Sequence, residues 1–207
     1  MGALKGTITY TKLYVRGTLD DSFRDLFVER IRLRAFQPLT IEGEEEQKVG
    51  WCSIEDPLDT DLDHNKLYYG SYLNLGLRTD RWVIPGPLLK AHLAEAERAH
   101  LQKRGREKLT RREKEEIRTM VSRRLRKQVL PVMNVVDLSW NLDSGVVRFW
   151  SQSQRVLESM MELFEDTFSV NLLPESPGAS AITLELSEAH ARALDAITPT
   201  TFHPVFA

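Results

Sequence analysis

Hydrophobic and polar positions change period several times along this chain, and each change marks an element. From Thr7 to Val15 the alternation of Thr, Ile, Tyr and Val reads as a half-buried strand that Gly17 ends. Phe23, Leu26, Phe27 and Ile31 then recur at helical spacing up to Pro38, with Asp20 or Asp21 placed to accept first-turn amides. Glu42 to Lys48 and the Asp-rich run Glu55 to Asn65 read as loops. Leu73, Leu75 and Leu77 alternate within a strand over Leu67 to Leu77, and Trp82, Val83 and Ile84 predict a second strand paired to it after a turn at Thr79-Asp80.

The next stretch is helical twice. Pro87 suits a helix start, where its missing amide hydrogen has no partner to lose, and Leu89, Leu93 and Ala96 form a stripe that ends at Gly105, a left-handed cap. Thr110 and Glu113 have the spacing of a capping box, and Ile117, Met120, Val121 and Leu125 supply an apolar face until Pro131. Two helices joined by Gly105 to Leu109 predict an antiparallel hairpin. Met133 to Trp140 and Val146 to Trp150 then read as strands around an Asp143-Ser144-Gly145 reversal.

Gln154 to Phe168 places Val156, Leu157, Met160, Met161, Phe164 and Phe168 on one broad helical face. Short strands are predicted near Val170 to Leu173 and Ile182 to Leu186, then a short helix from Ala189 that Thr198-Pro199 ends and an irregular tail. Irregular alternation of this kind predicts an α+β fold: antiparallel or mixed sheets, amphipathic helices and a protruding basic antiparallel helical hairpin. It divides into residues 1–84, the hairpin at 85–131, and 132–207, the outer two packed as one body.

Charge changes this picture. The formal net charge is -2, yet 13 Lys/Arg and 4 Asp/Glu fall between Arg98 and Lys127, a net +9 that leaves -11 on the rest of the chain. The hairpin is a positive electrode on an acidic body. Its cations Arg104, Arg106, Lys108, Arg111, Arg112, Arg118, Arg123, Arg124, Arg126 and Lys127 are the candidate binding residues for a phosphate backbone, since each Lys or Arg that neutralises a phosphate releases counterions regardless of sequence. Residues 85–131 contain no Trp, Tyr or Phe on which single-strand bases could stack, which favours duplex DNA.

Other chemistry is sparse. Glu55, Asp56, Asp59, Asp61, Asp63 and His64 invite a divalent-cation reading, but His64 stands where an EF-hand loop needs its Gly and Gly70 where it needs Glu. No Gly-x-Ser-x-Gly elbow, P-loop or dinucleotide fingerprint occurs, and the five histidines have no zinc spacing with the single Cys52, which is expected to be a packed thiol. A non-enzymatic protein without metal or cofactor is expected. No apolar run reaches membrane-spanning length and the N-terminus lacks a signal-peptide core, so the expectation is a cytoplasmic protein that does not act at membranes.

Several strings, taken in order, resemble the recombination-associated RdgC family: Lys48-Val49-Gly50-Trp51, then Val83-Ile84-Pro85-Gly86-Pro87-Leu88-Leu89-Lys90, then Glu113-Lys114 in a basic helix, the reversal at Gly145, and Leu172-Leu173-Pro174. The resemblance covers roughly Leu4 to Leu186, with the chain shortened at its C-terminus relative to the family and without an aromatic residue in Gln128-Val129-Leu130-Pro131-Val132. It implies a homodimer closed as a ring around duplex DNA, associated with the nucleoid, that restrains RecA-promoted strand exchange by occupying DNA. Two other readings stand beside it: an interaction scaffold that grips an acidic protein through the hairpin, and a metal-dependent nuclease built on Asp59, Asp61 and Asp63.

Overall fold

The computed structural model describes residues 2–4, 8–17, 23–43, 45–178 and 186–198. Its strands are β1 (Thr11–Arg16), β2 (Gln47–Cys52), β3 (Tyr68–Tyr69), β4 (Tyr72–Arg81), β5 (Val132–Asn141), β6 (Val146–Phe149) and β7 (Asn171–Pro174). Its helices are α1 (Phe23–Leu33), α2 (His64–Leu67), α3 (Gly86–Arg104), α4 (Arg111–Arg126), α5 (Gln154–Phe168) and α6 (Glu188–Asp195). The strands form one antiparallel sheet in the order β2-β4-β5-β6-β1-β7, with β3 on the edge of β4 that β2 also uses. The fold is α+β.

Register explains the core. Leu73, Leu75 and Leu77 of β4 stand opposite Trp140, Leu138 and Val136 of β5, and Val147 of β6 stands between Trp140 and Leu13 of β1. All of these are buried, because alternation sends one set of side chains to a single face. Helices α1 and α5 cover that face. The Phe27 ring meets Phe168 at 4.8 Å, and Trp140 meets Phe164 at 5.2 Å. Trp51 Nε1 donates to Thr167 Oγ1 at 2.9 Å, tying β2 to the end of α5. This single cluster draws on residues from both sides of the hairpin, from Leu13 to Leu172.

Several local expectations are met. Gly105 (φ 60°) caps α3, Thr110 and Glu113 form the capping box of α4, and Gly145 (φ 66°) turns the β5–β6 hairpin. Helix α5 spans the predicted residues, and α6 begins one residue before Ala189. The first strand starts later than predicted, at Thr11.

Four expectations are corrected. There is no turn at Thr79-Asp80, because β4 runs unbroken from Tyr72 to Arg81 between β2 and β5, with Thr79 and Asp80 in register on both sides. The strand paired to it nearby is the short β3, which reverses at Gly70 (φ 62°), and Trp82 to Ile84 form no strand. The loop predicted over Glu42 to Lys48 runs into β2, a strand whose polar first residues, Gln47 and Lys48, hide its period. Asp63 also starts a helical turn, α2, inside the predicted Asp-rich loop. The predicted strand at Ile182 to Leu186, the cap at Asp20 or Asp21 and the tail after Thr198 lie wholly or largely outside the described residues.

Candidate nucleic-acid interface

The hairpin grows from the sheet and packs on itself. Ile117, Val121 and Leu125 of α4 are buried against Ile84, Leu89, Leu93, Ala96 and Leu109, a cluster separate from the main core. Helix α3 contains no fully buried residue along its 19 positions, so both of its flanks stand largely in solvent. A small private core of this kind holds the two helices together and fixes which of their faces stand in solvent.

The tip is organised by Glu113. Its carboxylate accepts from the Thr110 backbone N–H and hydroxyl, both at 2.9 Å, and from Arg104 Nη1 at 2.9 Å, with Arg106 Nη1 at 3.8 Å and His100 Nε2 at 3.6 Å. Hydrogen bonds from Thr110, with the nearby arginines adding attraction, hold the Glu113 carboxyl below its ordinary range. Arg112 pairs with Glu116 at 3.0 Å, one turn on, while its side chain stays 90% exposed. Exposed pairs of this kind contribute little and are broken by salt or a competing anion.

Lys108, Arg111, Arg118, Arg124 and Lys127 are exposed and make no salt bridge to a described residue. Arg112, Arg123, Arg124 and Lys127 line one shallow concavity along α4 with Met120 and Thr119. Arg118 and Arg123 line another with Ser122 and Glu46. From Arg111 to Lys127 the helix rises about 24 Å at 1.5 Å per residue, the length of about seven base-pair steps at 3.4 Å.

Arg126 departs from the expected set. It is 7% exposed, its Nη1 donates to Gly43 O at 2.9 Å, and its guanidinium carbon lies 5.9 Å from the centre of the Trp82 ring. It anchors the root of the hairpin to the body and presents no cation at the surface. In the sequence it looks like its neighbours Arg123 and Arg124; only its place on the helix line that faces residue 43 separates it.

The acidic loop acts as local scaffolding. Asp63 accepts from the Asn65 and Lys66 amides at the start of α2, Asp59 pairs with Lys66 at 2.7 Å, and Asp56 accepts from the Leu58 amide. Among the described residues no three His, Cys, Asp or Glu side chains gather as a metal site. Cys52 is fully buried with Sγ 3.4 Å from Gly76 O, and burial pushes its thiol up to about 12. No described helix is long and apolar enough to cross a membrane. No protein-family model matches this chain, and no curated protein is similar to it at a significant level.

Proposed function

We propose that this protein binds duplex DNA without sequence preference through the hairpin of α3 and α4, and acts by occupying DNA rather than by catalysing a reaction. The observation that carries the reading is the set of exposed cations on one rigid helix, Arg111, Arg118, Arg124 and Lys127, unpaired among the described residues on a chain of net charge -2. A concentrated positive surface on an acidic body seeks a polyanion, and salt-linked counterion release makes the attraction indifferent to base sequence.

The proposal extends to the biology that the resemblance implies. The protein pairs with a second copy, limits the access of RecA filaments to DNA, and works at the nucleoid. Exposed Val83, Leu88, Leu130, Val132 and Met133 near the hairpin root support self-association, because apolar side chains left bare in one region favour covering by another chain.

Salt-titrated binding to two duplexes of unrelated sequence tests the reading. About six neutralised phosphates give a slope near -5 in log K against log salt, equal for the two duplexes. A flat salt dependence, or no retention in dilute buffer, overturns the proposal and leaves the acidic-protein scaffold as the use of the hairpin.

A further inference from the structure

Alternation along β1 and β6 sends Leu13, Val147 and Phe149 into the core and leaves Lys12, Tyr14 and Arg148 on the other face of the sheet, opposite the one that α1 and α5 cover. The two strands are neighbours with Lys12 opposite Arg148, so their outward side chains form one patch. Tyr10 continues it. Its ring lies 5.6 Å from that of Trp150 at a tilt of 53°, and the Arg148 guanidinium carbon sits 5.8 Å from the centre of the Tyr10 ring. At the other end Lys12 Nζ is 4.9 Å from the centre of the Tyr14 ring. Register carries the row inward from Arg148 to Ser139 of β5 and Asn74 of β4, and the Asn74 side chain makes no hydrogen bond to a described residue. Tyr10 is 36% exposed, and Lys12, Tyr14, Arg148 and Trp150 each keep part of their surface in solvent.

We infer that this patch is a second nucleic-acid site, a stacking platform for single-stranded DNA set apart from the hairpin. Unpaired bases need rings to lie on and cations for the phosphates between them, and residues 85–131 supply cations but no aromatic ring. On the sheet the two occur together. Tyr10 and Tyr14 stand four residues apart on one strand line, about 13 Å at about 3.3 Å per residue, with Lys12 and Arg148 between them. A base on each ring brings the linking phosphates to the two cations. Glu175 accepts from Lys12 Nζ at 2.7 Å and from Tyr14 Oη at 2.9 Å, an exposed pairing that a phosphate can replace. Asp137, half-buried beside Trp150, accepts from the Ala3 backbone N–H. Arg148 makes no salt bridge to a described residue, and Arg16 lies exposed two residues beyond Tyr14 on the same line, so cations outnumber carboxylates on this face. The excess is small, and stacking rather than charge carries the affinity: about two neutralised phosphates give a slope near -1.4 in log K against log salt, far shallower than the hairpin's. A duplex keeps the faces of its bases covered by their neighbours and has none to offer these rings. The choice of DNA over RNA rests on the duplex reading above; the need for an unpaired strand does not.

The test uses oligo-dT of about 12 nucleotides and the full chain in about 0.3 M salt, where a contact as salt-dependent as the hairpin's has fallen away. Tyr10→Leu with Tyr14→Leu weakens oligo-dT binding by at least about tenfold, while Tyr10→Phe with Tyr14→Phe, which keeps both rings, stays within about twofold of the parent. Oligo-dT also quenches part of the tryptophan fluorescence, and Trp150→Phe removes that part, a reading that does not depend on the Leu variant folding. Duplex binding in low salt is the same for the parent and both tyrosine variants, because neither change touches the hairpin. No binding of oligo-dT by the parent, or an equal loss in the Leu and Phe variants, overturns the inference and leaves the duplex reading standing. A duplex held as tightly as oligo-dT in the same salt, and lost with it in the Leu variant, overturns the preference for an unpaired strand. Tighter binding of oligo-rU than of oligo-dT overturns the assignment to DNA.

Discussion

Arg81, the last residue of β4, pairs directly with Val132, the first of β5, so the helical hairpin is an outgrowth of the connection between two adjacent interior strands. Its direction is therefore set by the most extensive ladder of the sheet, in which β4 and β5 pair over ten residues each. A charged helix mounted this way keeps one orientation relative to the body.

Gly50 has a steric rather than a conformational reason to be glycine. A Cβ there would sit 2.5 Å from Phe36 Cα, where the segment after α1 runs along the edge of β2 through Phe36 N–H to Trp51 O and Trp51 N–H to Arg34 O. Gly50→Ala lowers stability by about 2 kcal/mol, because the backbone of residues 34–36 must move off the strand. Faster hydrogen exchange at the Phe36 and Trp51 amides checks this.

Arg126→Met keeps much of the side-chain volume and removes the charged donor at the hairpin root. The loss of its hydrogen bond to Gly43 O and of its packing on Trp82 lowers unfolding stability by about 2 kcal/mol. Urea denaturation with an unchanged m-value measures it. A variant as stable as the parent would show that the root is held by the apolar contacts alone.

Glu113 makes the hairpin tip sensitive to acid. Its carboxyl lies below the ordinary 4.5 when folded, so its stabilising contribution is complete above that value and is lost as pH falls through the lower folded value. The first turn of α4 loosens only in that acid window, while Arg104 and Arg106 lose their shared partner. Thr110→Ala removes the main cause of the shift, costs about 1 kcal/mol at neutral pH, and raises the Glu113 midpoint in a side-chain NMR titration.

Much of this fold is legible in the sequence where local chemistry and tertiary packing agree. The capping box at Thr110, the cap at Gly105, the reversal at Gly145 and the apolar face of α5 are each specified within a few residues and are found where the pattern places them. Strand β2 is hidden because Gln47 and Lys48 are polar and its identity comes from pairing with Gly76 to Arg81, far along the chain. The turn expected at Thr79-Asp80 fails for the converse reason. Asp80 is a turn residue by propensity, but here it is 4% exposed and held by Arg78 through two hydrogen bonds at 2.9 and 2.7 Å, which satisfy its charge inside a strand. At the candidate site, composition locates the basic helix but does not distinguish surface cations from the buried Arg126, since that depends on which line of α4 meets residue 43.

The central claim is that exposed cations of α4 bind the DNA backbone, and charge reversal tests it most directly. The variant Arg111→Glu, Arg118→Glu, Arg124→Glu, Lys127→Glu changes side chains that are exposed and outside both cores, so its fold and melting behaviour should stay close to the parent's. Measured on the same random-sequence duplex in low salt, it should bind at least about a hundredfold more weakly and lose most of the salt slope. Binding unchanged from the parent, slope included, would contradict the account and remove the hairpin from the proposed function.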